Sequence, residues 1–234
     1  MQNINIIKAL PTADVILQLE PEELAGYILG HLVPQNGQVH PDYFFQETEK
    51  HYRDERVTKV LMEAWSWLVH EGLLVQKDRD GWFFISRRGQ KVQGRQDLQA
   101  YRRSNILPKQ SLHPIIAERV WPNFIRGEYD TSVFQAFKEV EVAVRIAGSF
   151  AKTDIGTDLM GKAFNINSGP LTDATLPEAE RRAMLNLFVG AVGLFKNPSS
   201  HRHVTLTDPH EAAEIISFAS LLMRIVDTRT AGKS

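Results

Sequence analysis

Hydrophobic positions in the first hundred residues predict two helices followed by a hairpin. A helix is expected at 21–33, where Pro21 and two acidic residues suit a helix start. Residues 35–44 predict a loop. A second helix is expected at 53–74, because an apolar stripe with spacing i, i+3, i+4, i+7, i+8, i+11 runs through Val57, Val60, Leu61, Ala64, Trp65 and Leu68. Two short apolar runs, LLVQ and WFFIS, flank KDRDG and predict a β-hairpin.

The second half of the chain is helical throughout by the same criterion. Its helices are expected at 113–129 with a break at Pro122, 131–150, 154–164, 176–195 and 208–227. Together they predict a bundle of four or five helices. The polar segment 95–112 predicts a linker. The expected domains are therefore an N-terminal extension (1–20), a helix-and-hairpin domain (21–94) and, after the linker, a helical bundle (113–230).

The N-terminal pattern resembles a winged helix. In that fold the helices are followed by a β-hairpin, as predicted here. The segment that runs from GLL to WFFISRRG is also similar to the corresponding part of a winged helix. The resemblance implies three helices plus a β-hairpin and a groove-reading helix at 53–74. The fold class is thus expected to be mainly α.

Composition narrows the classes of function. The 234 residues are 43% hydrophobic, enough for a packed core, and 27 basic residues against 28 acidic ones leave a net charge of −1. No global field therefore attracts nucleic acid or a membrane. The absence of cysteine excludes disulfides, thiolate metal sites and a cysteine nucleophile. No targeting segment and no run of 18 apolar residues occurs, so we expect a cytoplasmic protein without a membrane partner.

Two basic groups in the N-terminal half are candidates for nucleic-acid binding. Arg53, Arg56 and Lys59 are spaced i, i+3, i+6 near the start of the groove-reading helix. The segment 87–103 contains one acidic residue, Asp97, and six basic residues, which are Arg87, Arg88, Lys91, Arg95, Arg102 and Arg103. The alternative is a solvated face on a winged helix that only holds proteins together.

Polar residues also share one face of the helix at 131–150. Glu141 and Arg145 form an i, i+4 pair, with Lys138 on the same face and Glu139 close to it. The alternative to a functional role is an exposed salt bridge worth a few tenths of a kcal/mol.

The corner GLFKNPSSHRH, 193–203, carries more chemistry than a turn requires. Pro198 ends the preceding helix on steric grounds. Lys196 and His201 flank Asn197, and a cation beside a histidine suits metal-free RNA cleavage: the imidazole takes the 2′-hydroxyl proton, the cation stabilises phosphoryl charge, and the amide orients the corner. His201 could instead be a structural cap. A metal site is the weaker alternative, because no helical spacing fixes the ligands His201, His203, Asp208 and His210.

Several segments from 134 to 227 resemble the Ymh-type family of bacterial and phage proteins: AFKEVEVAVR, GTDLMGKAF, LFVGAVGLFKNPSSHR and EAAEIISFASLLMRIVD. That family is similar to the HEPN superfamily, whose helical bundles are usually dimeric and often metal-independent ribonucleases of toxin and anti-phage systems. The HEPN motif is Arg-Asn followed by His, and here KNPSSH matches it with Lys196, Asn197 and His201. Lysine loses the planar fork of arginine, which Arg202 could supply instead. By position, Glu141 and Arg145 are similar to residues lining HEPN sites.

The resemblance implies a function that is stated here as an expectation. The protein is expected to be a homodimeric, HEPN-like endoribonuclease of anti-phage defence or growth arrest, with RNA as substrate and neither metal nor cofactor. Its winged helix would bind nucleic acid, including DNA, or a defence-system partner protein. The alternative is a DNA-binding transcription regulator or a subunit of a defence complex, whose bundle is a non-catalytic module for dimerisation or ligand sensing.

Overall fold

The computed structural model of the protein describes residues 10–33, 38–77, 80–92, 94–196 and 205–231. The chain divides into two compact units, unit 1 (Met1–Arg102) and unit 2 (Arg103–Ser234). It is mainly helical with one small three-stranded sheet, so the expectation of a mainly α protein is confirmed. None of the helices in the described ranges is long and apolar enough to cross a membrane.

Unit 1 combines helices with the sheet. β3 lies in the middle of the sheet and pairs antiparallel with both neighbours, so that Phe84 faces Val75 on one side and Gln38 on the other. The predicted helix at 21–33 and the predicted hairpin are both present. In chain order the elements are α1 (Ala13–Ile16), α2 (Pro21–Leu32), β1 (Gln38–Val39), α3 (Pro41–Tyr52), α4 (Glu55–His70), β2 (Leu74–Gln76), β3 (Phe83–Ile85) and α5 (Arg95–Ile106).

The predicted loop at 35–44 is wrong in part, because it contains β1 and the start of α3. His40 caps α3, since its Nδ1 accepts a hydrogen bond from the Asp42 backbone N–H (3.3 Å). Phe44 and Phe45 are buried, which the sparse apolar spacing of the segment did not reveal. The helix predicted at 53–74 is shorter than expected. Arg53 is left-handed (φ 53°) and ends α3, so α4 starts after it.

Residues 10–20, predicted as part of an extension, pack onto unit 1 and contribute two side chains to its core. Leu10 and Ile16 are buried members of the hydrophobic core of unit 1, and α1 contacts α4. The Tyr52 hydroxyl donates to the Pro11 carbonyl (2.7 Å) and fixes this segment to the end of α3.

A close backbone contact fixes the turn after β3. A Cβ added to Gly89 would lie 2.5 Å from the Leu73 carbonyl oxygen and 2.8 Å from Ile85 Cγ2. We therefore expect Gly89→Ala to destabilise unit 1 by about 1–3 kcal/mol, the usual cost of overpacking. The measurement is denaturant unfolding. Gly94→Ala is the control, because no described atom lies within 4 Å of its added Cβ, and an equal loss in both variants would contradict the packing argument.

Unit 2 is a helical bundle arranged around α8, which packs against helices on several sides. The segment 95–112, predicted as a linker, contains α5 and a short 3-10 turn, and the boundary between the units falls within α5. The helix break expected at Pro122 is present and lies just before this residue, because Pro122 is in the first turn of α7. The helices are α6 (Pro114–Arg119), α7 (Trp121–Arg126), α8 (Tyr129–Ala147), α9 (Gly156–Ala163), α10 (Glu178–Phe195) and α11 (Pro209–Ala231).

Aromatic packing fixes the end of α10 against α8. The rings of Phe137 in α8 and Phe195 in α10 stack with centroids 5.1 Å apart, and Phe218 of α11 contacts both rings. Phe195 directly precedes Lys196. The core thus positions the residue at which the corner 193–203 leaves the helix.

Candidate functional site

The carboxylate of Glu141 is the centre of a buried ionic cluster in unit 2. Lys196 Nζ, at the end of α10, donates to Glu141 Oε2 (2.6 Å). Arg145 Nη2, one turn further along α8, donates to Oε1 (2.6 Å). The backbone N–H of Gly156, the first residue of α9, also donates to Oε2 (2.6 Å). Three helices therefore meet at one carboxylate.

The cluster is largely removed from solvent. The side chains of Glu141, Arg145 and Lys196 are 6%, 17% and 14% exposed. Burial favours the neutral acid and by itself raises the pKa of Glu141. The hydrogen bonds from Lys196 and Gly156, with the charges of Lys196 and Arg145, outweigh burial and lower the pKa below its usual value. Glu141 is therefore an ionised carboxylate.

Arg145 also fixes the connection between α8 and α9. Its Nε donates to the carbonyl oxygen of Asp154 (2.9 Å), and Lys162 Nζ donates to the Asp154 carboxylate (2.5 Å). The bond from Lys162 lowers the pKa of Asp154. Gly156 adopts the left-handed conformation (φ 63°), which glycine tolerates best. This connection is held in place directly beside the ionic cluster.

The alternative of an exposed salt bridge is wrong for Glu141 and Arg145, because the Glu141 side chain is buried and the Arg145 side chain is only 17% exposed. Lys138, expected on the same face, is exposed and is not a member of the cluster. Glu139 is buried at a different place, where it accepts from Gln135 Nε2 (2.6 Å) and Arg119 Nη1 (3.2 Å). Of the polar residues noted on α8, only two belong to the cluster.

The remaining predicted catalytic residues, Asn197, His201 and Arg202, lie outside the described residues, as does His203. Asp208, an alternative metal ligand, accepts from the His210 backbone N–H (2.8 Å) at the start of α11. Within the described ranges, no group of three or more His, Cys, Asp or Glu side chains is arranged to hold a metal ion.

The cluster has a net positive charge. One carboxylate between two cations leaves +1 among the described members, and Lys196 and Arg145 keep part of their surface accessible. Such a group can hold a neighbouring segment in place and attract an anion that approaches it.

Sequence reasoning missed Gly156 and Asp154, which act mainly through backbone groups. A glycine at a helix start was the available signal for the first.

Two of the three predicted nucleic-acid contacts at the start of α4 form exposed ion pairs with acidic neighbours. Arg56 Nη2 donates to the Asp54 carboxylate (2.7 Å), and Lys59 pairs with Glu55 (2.9 Å). Arg53 precedes the helix, so the expected i, i+3, i+6 face is wrong. The acidic partners of Arg56 and Lys59 compete with phosphate for these two cations.

The basic segment from 87 to 103 also offers fewer available cations than its composition suggests. Arg95 pairs with Glu23 and Arg102 with Glu22, which ties α5 to α2. Arg103 donates to the Ile125 carbonyl and the Tyr129 hydroxyl within unit 2. Within this segment, the exposed cations that form no ion pair with another described residue are Arg87, Arg88 and Lys91.

Comparison with known proteins defines the class of unit 2. Residues 110–226 match the family described as "Protein of unknown function (Hypoth_ymh)", a match that covers half of the 234-residue chain. The chain belongs to this Hypoth_ymh family, so the resemblance to Ymh-type proteins is confirmed. No curated protein and no solved structure matches the chain.

Proposed function

We propose that the protein is a metal-independent, HEPN-like endoribonuclease that acts in the cytoplasm in anti-phage defence or growth arrest. Unit 2 would cleave RNA without a metal or cofactor, and unit 1 would be a winged helix that binds nucleic acid or a partner protein. The observation that carries the proposal is the Glu141–Arg145–Lys196 cluster, because it joins three of the residues selected from sequence for catalysis.

Burial of this cluster supports a function better than it supports a role in stability. Removing charges from water costs several kcal/mol per ion, so buried ion pairs are often no better for stability than apolar packing. Glu141, Arg145 and Lys196 are also placed where α10 ends and the corner 193–203 begins. A rigid carboxylate at this point would position Lys196 for a phosphate bound at the corner.

The reaction that fits these groups is transphosphorylation. His201 accepts the proton of an RNA 2′-hydroxyl, the 2′-oxygen attacks the adjacent phosphorus, and the bond from phosphorus to the 5′-oxygen breaks. Lys196 and Arg202 stabilise the charge on the phosphoryl oxygens. His201 of the partner subunit donates a proton to the leaving 5′-oxygen. The products are a 2′,3′-cyclic phosphate and a 5′-hydroxyl.

Exposed apolar side chains beside the cluster support a homodimer. Ile146 follows Arg145, Ile155 precedes Gly156, and Leu194 is two residues before Lys196. They are 73%, 57% and 64% exposed, which is unusual for large apolar side chains in α8, just before α9 and in α10. A second copy packed on this surface would bury them and bring two clusters together in a symmetric arrangement.

We expect Leu194→Glu to convert the dimer into a monomer, because the interface would have to bury two carboxylates. Sedimentation of the full chain measures the change. Leu221→Glu is the matched control, since Leu221 is also more than half exposed but lies on α11, which contributes none of the described residues of the cluster. A wild-type monomer, or a dimer in the Leu194→Glu variant, would contradict this interface.

The order of elements in unit 1 supports the winged helix. The run α2, β1, α3, α4, β2, β3 with sheet order β1-β3-β2 places a hairpin directly after the helix proposed to read the groove. The pairing of Arg56 with Asp54 and of Lys59 with Glu55 makes duplex reading by this helix less favourable. The fold therefore suits either a nucleic acid bound elsewhere on the unit or a protein partner.

The decisive test is cleavage of a mixed cellular RNA pool by the purified full chain with excess chelator. The proposal expects cleavage with cyclic phosphate ends. Loss of cleavage on adding chelator would contradict the mechanism.

A second function is favoured by one observation. Lys196, which replaces the arginine of the HEPN motif, is bonded to a carboxylate and mostly buried. A cation used in this way can serve structure alone, as in a regulator or defence-complex subunit whose bundle is non-catalytic. Absence of cleavage, together with duplex DNA binding that weakens steeply with salt, would support the regulator.

A further inference from the structure

A basic cleft lies in unit 1 where α4 ends and the chain leaves β3. Its volume is about 630 Å³, and it is lined by Gly72, Ser86, Arg87, Arg88 and Lys91. The three cationic side chains are exposed and form no ion pair within the described part of the chain. Arg88 Nη1 instead donates to the hydroxyl of Tyr101 (3.4 Å), which donates in turn to the Glu71 carboxylate (3.0 Å).

The turn that carries these cations is rigidly anchored. The backbone N–H of Ser86 donates to the Leu73 carbonyl (3.0 Å), and Ser86 Oγ accepts from the Gly89 backbone N–H (3.0 Å). Gly89 itself contacts Leu73 so closely that a side chain would not fit. Three cations are therefore held on a preorganised turn, which reduces the entropy lost on binding a ligand.

The electrostatics of the cleft favour an anion with more than one negative charge. Arg87, Arg88 and Lys91 contribute +3, and Glu71 next to Gly72 reduces the sum to about +2. The negative end of the α4 dipole subtracts roughly another half charge. A phosphate or diphosphate matches the remaining charge, and arginine suits it because its fork can bind two phosphate oxygens.

The cleft is separate from the cations at the start of α4. Arg56 and Gly72 are 16 residues apart, which corresponds to roughly 24 Å along a helix. Arg56 and Lys59 at the far end are already paired with acidic side chains. One phosphate cannot contact both groups, and the group without acidic partners is the one at the cleft.

We infer that this cleft binds the phosphate groups of a nucleotide or of an RNA strand through Arg87, Arg88 and Lys91. The inference deepens the proposed nucleic-acid role of unit 1 and rests on it for the choice of ligand. It moves that role from the start of α4 to the opposite end of the helix.

Binding to the full chain is measured by calorimetry with inorganic pyrophosphate, with a nucleoside triphosphate and with a single-stranded RNA oligonucleotide, each at several salt concentrations. The test variant carries Arg87→Gln, Arg88→Gln and Lys91→Gln. The matched control carries Arg56→Gln and Lys59→Gln. All five positions are exposed, so circular dichroism should show both variants folded.

We expect the triple variant to lose affinity at least about tenfold, and its salt slope for RNA to fall by about 0.7 per phosphate contact removed. The control should stay within about twofold. Binding of pyrophosphate or the triphosphate indicates a nucleotide site, whereas binding of RNA alone indicates a strand site, and both outcomes support the inference. Absence of binding by all three ligands, unchanged affinity in the triple variant, or loss only in the control would overturn it. Assaying RNA cleavage on the same wild-type sample separates this result from failure of the ribonuclease proposal.

Discussion

Glu141→Gln is expected to destabilise unit 2 by about 3 kcal/mol, near the lower end of the cost of breaking a buried ion pair. The neutral amide keeps the shape of the side chain but leaves Lys196 and Arg145 without a counter-charge. Their remaining exposure, 14% and 17%, allows water to compensate in part. The measurement is thermal and denaturant unfolding of the full chain at pH 7. The transition that shifts in the Gly89→Ala variant is assigned to unit 1.

The chain offers a matched control for this prediction. Glu178 and Arg182 form an i, i+4 pair of similar length (2.5 Å) on α10, but both side chains are more than half exposed. Glu178→Gln should cost about 0.3–0.5 kcal/mol, the usual value for an exposed helical pair. Equal effects of the two substitutions would contradict the importance of burial at Glu141.

Acid titration provides a second readout for the same variant. Because the pKa of Glu141 is lowered in the folded protein, its ionised form stabilises the fold above the unfolded pKa of about 4.3. This contribution is lost as pH falls through the lower, folded pKa. The difference in unfolding free energy between wild type and Glu141→Gln should therefore be constant from about pH 5 to 8 and shrink below about pH 4.3. A difference that persists undiminished in acid would show that it arises from packing.

The sequence predicted the helices of unit 2 well because their apolar stripes are long and regular. In α8, Val133, Phe137, Val140 and Val144 repeat at helical spacing and are all buried. No helix was placed at the position of α3, since its two buried phenylalanines are adjacent and define no period. α5 was missed because its polar sequence suggested a linker, whereas Arg95 and Arg102 bind acidic residues of α2. Pairing between distant charges is not visible in local sequence.

The same limit applies to the candidate site. The spacing of Glu141 and Arg145 predicted their contact, but spacing alone favoured an exposed salt bridge. Burial of the pair depends on α9 and α10, which approach α8 from 15 and 55 residues away in sequence. Lys196 was predicted separately, from its place in the KNPSSH motif. Its bond to Glu141 connects the predicted corner with the predicted pair on α8. Tertiary packing therefore supplied the link that sequence reasoning could not.

His201→Ala is expected to reduce RNA cleavage by about 10²–10⁴-fold, the range for loss of a general acid or base. The effect should be large because, in the proposed symmetric dimer, one substitution would remove both the proton acceptor for the 2′-hydroxyl and the proton donor for the leaving oxygen. Cleavage is measured with excess chelator on an RNA oligonucleotide, and the ends are analysed for cyclic phosphate.

His210→Ala is the matched control for this substitution, because His210 is exposed and contacts Asp208 through its backbone N–H. It should cleave like the wild type. If the His201→Ala variant cleaves RNA as fast as the wild type, His201 has no part in the mechanism, even if the product ends are cyclic. Cleavage confined to wild type and His210→Ala would establish the corner as the active site and show that a lysine held by a buried glutamate can replace the arginine of the HEPN motif.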